Sequence, residues 1–191
     1  MAGGQIYGST NNQYISCRLD WSAVPNIDGN YSTVTATLIY WRNNTGYTTS
    51  GTWSGGISIE GNVLPGSTRV SLTYNSNTVV LIHQVNIGHN TDGTRDITLS
   101  AYGGIPGTSF SSTNLSQVVS LDTIPRTSSA TMSKTNFIIE EPVTISISRA
   151  SSNFKHDINI AFGSISFNIA RGVDTSFTWN TGNNANSFYS Q

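Results

Sequence analysis

Apolar and polar side chains alternate one by one along most of this chain, and a period of two admits half-buried β-strands and little else. In Tyr14–Trp21, Ile15, Cys17, Leu19 and Trp21 share one face, while Tyr14, Ser16, Arg18 and Asp20 share the other. Tyr31–Arg42 repeats the pattern, with Val34, Ala36, Leu38 and Tyr40 facing inward and Thr33, Thr35 and Thr37 outward. Shorter runs follow at Tyr47–Trp53, Ile57–Ile59, Arg69–Tyr74, Val79–Ile87, Arg95–Tyr102 and Leu115–Leu121. No stretch carries a helical period of apolar residues. The separators are turn formers: Pro25–Asn30, Asn43-Asn44-Thr45-Gly46, Leu64-Pro65-Gly66 and Thr91-Asp92-Gly93-Thr94. Asn43–Gly46 is expected to close a hairpin between Tyr31–Arg42 and Tyr47–Trp53. The Asp92-Gly93 pair is a second hairpin signal, because such a turn needs positive φ, which glycine adopts cheaply. Residues 1–123 therefore read as an antiparallel β-sandwich, similar in kind to a carbohydrate-binding module.

The alternation stops at Asp122–Ser129, where Pro125 restricts its neighbour and cannot donate to a ladder. A second set of strands follows: Val143, Ile145 and Ile147 alternate with Thr144, Ser146 and Ser148, and Ile158, Ile160 and Phe162 alternate with Asn159 and Ala161. Ser164–Ala170 and Ser176–Trp179 complete it. Residues 124–191 are read as an immunoglobulin-like β domain, shorter than the ~100 residues of a full sandwich. Such a unit is minimal, borrows a strand, or is incomplete, and the polar tail Thr181–Gln191 fits the last.

Composition narrows the function. Twenty-eight Ser, 24 Thr and 20 Asn account for much of a 191-residue chain that is only 10% charged, so its surface is built of hydroxyls and amides. The nine basic residues are scattered singly, without the clustered footprint that phosphate neutralisation demands, so nucleic acid is not an expected partner. No apolar run approaches the ~20 residues that span a bilayer, so no membrane partner is expected either. The start shows no signal peptide, and the single Cys17 reads as a small buried hydrophobe. Both fit folding in a reducing cytosol.

Three His, ten acids and one Cys are a thin stock for catalysis. Zinc-protease, nucleophile-elbow and phosphate-loop motifs are all absent. Glu140 and Glu141 are neighbours on an extended segment and point to opposite faces, so they do not form a glycosidase pair. The expectation is a binding or structural module, with no catalytic residue, no metal and no cofactor. His89, Asp92 and Gly93 are read as a structural turn, since Asn90 and Asp92 offer too few oxygens for calcium by themselves. The aromatic residues are the stronger lead. Among Trp21, Tyr40, Trp41, Tyr47 and Trp53, the rings of Trp41, Tyr47 and Trp53 sit beside Asn, Thr and Ser. A flat ring next to amides and hydroxyls can stack on a sugar and bond its hydroxyls. The same rings would equally fill a core or an oligomer contact, and these readings stay open.

Several strings together resemble a family of minor structural proteins from the tails of siphophages that infect Gram-positive bacteria. They are Gly8–Ile15, Ser32–Leu38, His89–Gly93, the connector Leu121–Arg126, Ser148–His156 and Thr175–Trp179, and they cover nearly the whole chain. The resemblance implies a virion tail or tail-tip component that is assembled in the host cytoplasm and takes part in host attachment. Its implied partners are copies of itself in a homo-oligomer, a trimer for instance, other phage tail proteins, and host cell-wall polysaccharide. A purely architectural tail or baseplate module is the alternative, and a glycan depolymerase the remote one. The family lends no catalytic residues. Its members are longer, so any receptor-binding head would lie beyond Trp179.

Overall fold

The computed structural model describes residues 1–136, 138, 140–162 and 164–184. They form two compact units, residues 1–124 and 125–191. Among the described residues there is no α-helix, only one 3-10 turn at Thr181–Asn184.

The first unit holds β1 (Ala2–Thr10), β2 (Ile15–Asn26), β3 (Tyr31–Arg42), β4 (Thr49–Ile59), β5 (Asn62–Leu72), β6 (Thr78–Gly88), β7 (Asp96–Gly104) and β8 (Thr113–Ser120). They hydrogen-bond as one antiparallel sheet in the order β5-β4-β7-β8-β1-β2-β3-β6. The expected pair of sandwiched sheets is thus a single sheet that curls nearly into a barrel. β1 makes it continuous: it pairs with β2 from Ala2 to Gly8, then with β8 through Ser9 and Thr10. Gly8 sits at the changeover, where a Cβ would stand 2.8 Å from Leu115 Cβ and 3.0 Å from Cys17 Sγ.

The two end strands meet without a ladder. A Cβ on Gly66 of β5 would lie 2.7 Å from Leu81 Cδ1 of β6, so Leu81 covers that glycine. His83 Nε2 donates to the Asn62 carbonyl at 3.1 Å. At the end of β3, the Arg42 amide donates to Thr73 O (3.2 Å) and the Asn75 amide to Arg42 O (2.9 Å), which closes the curl there. Pro65 lies on the edge strand β5, and Pro25 lies past the last β1 partner of β2 at Ala23, so neither proline interrupts a ladder on both sides.

The alternation read from the sequence sets the inward face. Leu19, Val34, Ala36, Leu38, Tyr40, Trp53, Ile57, Ile59 and Leu99 are all fully buried in one cluster. Three expectations change. β1 was not foreseen, because Ile6 is its one buried hydrophobic residue. β4 runs unbroken through Gly55-Gly56, where two strands were expected. The turn after it is Glu60-Gly61, with φ of 47° and 79°, and not Leu64–Gly66; the Glu60 carboxylate is held by Arg95 Nη2 (3.0 Å) and the Thr98 amide (2.8 Å).

Neither Asn43–Gly46 nor Asp92-Gly93 closes a hairpin. β3 pairs with β2 and β6, β4 with β5 and β7, and β6 is not a neighbour of β7. Both segments carry the chain across an end of the curled sheet to its opposite part.

The second unit contains β9 (Ser129–Met132), β10 (Pro142–Ser148), β11 (His156–Phe162), β12 (Ile165–Val173) and β13 (Ser176–Asn180). They form a three-stranded sheet, β13-β10-β9, and a two-stranded one, β11-β12. Among the described residues this unit has five strands, against the seven of an immunoglobulin constant-type domain. Val143, Ile145, Ile147 and Trp179 are buried there.

Two outcomes follow from the packing. Gly8→Val should destabilise the first unit by roughly 1–3 kcal/mol, the cost of overpacking, and denaturant melts of the two proteins measure it. Burial pushes the Cys17 thiol from 9.0 to about 11 and the Tyr40 hydroxyl from 10.0 to about 12, the latter partly offset by its bond to Thr113. The unfolded chain therefore loses these protons at lower pH than the native one. Stability should be intact below pH ~9 and fall as pH rises toward those raised values, with the Cys17 part absent in Cys17→Ala.

Candidate functional site

Strands that run alternately up and down put the β1–β2, β3–β4, β5–β6 and β7–β8 connections at one end of the curled sheet. The β2–β3, β4–β5 and β6–β7 connections lie at the other, where the chain also leaves the unit.

Two grooves open at the first end, and Tyr47 lines both. One, of about 440 Å³, lies between Thr48–Ser50 and Ser71–Thr73, with Arg42 and Thr108 also lining it. The other, of about 450 Å³, lies against Asn11–Tyr14 and Ser109. Tyr47 is presented by the β3–β4 connection, where Asn44 Oδ1 accepts from the amides of Gly46 (2.8 Å) and Tyr47 (3.1 Å) in an Asx turn. Asn43 Nδ2 ties that connection to the neighbouring one through Gln13 O (3.0 Å) and Ser16 Oγ (3.1 Å). The Tyr47 ring leans on Tyr14, centroids 5.4 Å apart and planes at 37°.

Asn12 is buried and holds the rim together. Its Oδ1 accepts from the Tyr14 amide at 2.9 Å, and its Nδ2 donates to Tyr47 Oη (2.8 Å) and Ser109 Oγ (3.0 Å). Tyr47 Oη and Ser109 Oγ are themselves 2.7 Å apart. Only one of these two hydroxyls can donate along that third edge. The other keeps its hydrogen, so the triangle offers one O–H donor to whatever occupies the grooves. Nearby, Asn11 Oδ1 accepts from the amides of Ser111 and Ser112, both at 3.1 Å, and fixes the β7–β8 connection.

The three aromatic candidates are not gathered in one place. Trp53 is fully buried, 6.3 Å from the Tyr40 ring and tilted 55° to it, so the expectation that it meets a ligand or a partner chain is corrected: it is core. Gly55 and Gly103 make room for it, since a Cβ on either would approach its ring within 2.7 Å. Trp41 is half-buried on the outer face, with the Arg18 guanidinium 5.4 Å from its ring centre. Arg18 is in turn held by Asp20 at 2.7 Å. Of the three, Tyr47 alone lines a groove. Arg42, Asn12 and Ser109 were not singled out in the sequence. Three separate connections bring them together, and no local pattern marks that.

His89, Asp92 and Gly93 lie together at the opposite end. His89 Nδ1 stands 2.7 Å from the Gly93 carbonyl, which can only accept, so Nδ1 carries the proton. In the neutral ring, Nε2 then accepts from Ser32 Oγ at 2.8 Å. Gly93 has φ +84°, and its carbonyl also accepts the Ile124 amide at 2.9 Å. The Asp92 carboxyl is lowered below its ordinary range by the Thr94 hydroxyl and the Thr94 amide. The turn thus fastens the segment by which the chain leaves the unit. Among the described residues, no three His, Cys, Asp or Glu side chains gather as a metal set. No helix there is long and apolar enough to cross a membrane.

The fold and its rim describe an all-β protein whose one wide end is lined by hydroxyl and amide groups. A model of the family described as siphovirus protein of unknown function (DUF859) matches residues 6–187, and the chain belongs to that family. No curated protein and no solved structure matches it.

His89→Ala should lower the melting temperature by the equivalent of about 1–3 kcal/mol, because Ser32 and the Gly93 carbonyl each lose a partner. EDTA should leave the melting temperature of the unaltered protein where it is. A drop on chelation would reassign Asp92 from turn to metal ligand.

Proposed function

We propose that this siphovirus protein is a virion tail component that takes part in host attachment, with its first unit gripping cell-surface polysaccharide at the end that bears Tyr47. The observation that supports this most is the rim itself. Two adjoining grooves share an aromatic ring, are lined mainly by hydroxyls and amides, and have a hydroxyl donor to spare. Sugars present that chemistry in reverse, with apolar C–H faces for a ring and hydroxyls for polar groups. The groove end is not the end by which the chain leaves the unit, so a polymer reaches it without crossing the connector. Neither groove is lined by an Asp or Glu, which fits a protein that acts by holding.

A second reading, an architectural module, is favoured by a different surface. Register places Tyr7, Arg18, Ile39 and Val79 in one row on the outer face of β1, β2, β3 and β6, with Ile82 in an adjacent row. Tyr7, Val79 and Ile82 are 66%, 52% and 57% exposed. Such rings and aliphatics fit a contact with another tail protein or with a copy of this chain, including a three-fold one.

Tyr47→Ala tests the first reading. It should weaken binding to purified host cell-wall polysaccharide about thirtyfold, the loss of ~2 kcal/mol for an aromatic anchor, while the circular dichroism spectrum stays that of a β protein. A folded protein that never binds host polysaccharide, and whose mass falls when Val79 and Ile82 become Ser, would leave the architectural reading standing.

A further inference from the structure

The groove between Thr48–Ser50 and Ser71–Thr73 contains a charge that, among the described residues, has no carboxylate beside it. Arg42 ends β3, and its main chain is held on both sides, the amide by Thr73 O at 3.2 Å and the carbonyl by the Asn75 amide at 2.9 Å. Its side chain lines the groove, and there Nε and Nη1 are buried without a hydrogen-bond partner. No Asp or Glu lines that groove; its other walls are Tyr47, Leu72 and the hydroxyls of Thr and Ser residues. Buried guanidinium nitrogens left unpaired are costly, and the other arginines that contact carboxylates, Arg18, Arg95 and Arg149, each reach one within 3.0 Å.

We propose that the groove takes an oxyanion carried on a hydroxylated polymer, and that Arg42 is the residue that selects it. This rests on the reading of the same end as a polysaccharide site and adds the chemical class. Nε and Nη1 are closed to solvent, so an anion meets the guanidinium only where Arg42 lines the groove. A phosphate or carboxylate flanked by sugar or polyol hydroxyls brings its charge to that side and its hydroxyls to the surrounding walls. Thr48, Thr49 and Thr73 also line the groove, as groups that can bond those hydroxyls.

The experiment uses the whole chain and three immobilised polymers: poly(glycerol phosphate), polygalacturonate and neutral dextran. Both anionic polymers should bind at least tenfold more tightly than dextran at low salt, and the preference should shrink as salt is raised. Arg42→Gln should abolish the preference. Arg69→Gln, which removes an exposed arginine that lines no groove, should leave it intact. Preference for one anionic polymer alone identifies the oxyanion as phosphate or carboxylate. Equal binding of all three polymers overturns the anionic assignment and spares the polysaccharide reading. Binding of none leaves the polysaccharide reading to the host cell-wall assay, and titration with glycerol phosphate then decides the anion site separately. There, the Arg42 Nε–H resonance should shift on titration, and its failure to move would overturn the inference.

Discussion

Everything in the first unit depends on one strand serving two sets of neighbours. β1 pairs with β2 along most of its length and passes to β8 in its last two residues, and that passage joins eight strands into one sheet. It is possible because Gly8 has no side chain where Leu115, Cys17 and the Asn114 carbonyl converge. A continuous sheet has only two edges, and here they face each other across Leu81, Gly66 and the His83–Asn62 bond. Edge strands are the usual route to unwanted pairing, and bringing them together protects both.

Curling fixes where chemistry can occur. The interior is filled by Trp53, Tyr40, Phe110 and aliphatic side chains in tight contact, with Tyr40 edge-on to Phe110 at 5.1 Å, so no ligand enters there. The polar grooves lie instead at an end of the sheet, made of Asn-, Ser- and Thr-rich connections. Their side chains bond one another and nearby backbone, so the rims are pre-ordered, and ordering costs less on binding. The amide-rich composition serves both purposes: Asn11, Asn12, Asn43 and Asn44 each fix a connection at the Tyr47 end.

The inward face of β2 and β3 was legible residue by residue, because period-two burial is a local property. Topology was not legible. Asn43–Gly46 and Asp92-Gly93 have hairpin composition, yet each crosses an end of the sheet, since a turn's residues state how the backbone bends and not which strand comes next. β1 was hidden because three glycines replace side chains that would have shown the alternation. Among the aromatic residues, Trp53 looked exposed in its Gly, Ser and Thr setting, and Gly55 in that setting in fact clears space for its ring. Tyr47 was singled out by composition, and it lines both grooves. Arg42 could not be, because a lone arginine at a strand end looks the same whether or not a carboxylate waits for it.

The separation of the two ends bears on how such a protein diversifies. The His89–Gly93 turn and the Ile124 amide secure the chain's exit at the end away from Tyr47. Lengthening or replacing the β3–β4 or β7–β8 connection therefore disturbs neither the exit nor the sheet, and each doubling of a flexible loop costs only about 0.6 kcal/mol in closure entropy. A lineage can rewrite what this rim touches by exchanging short surface segments while the barrel and its tether are inherited unchanged.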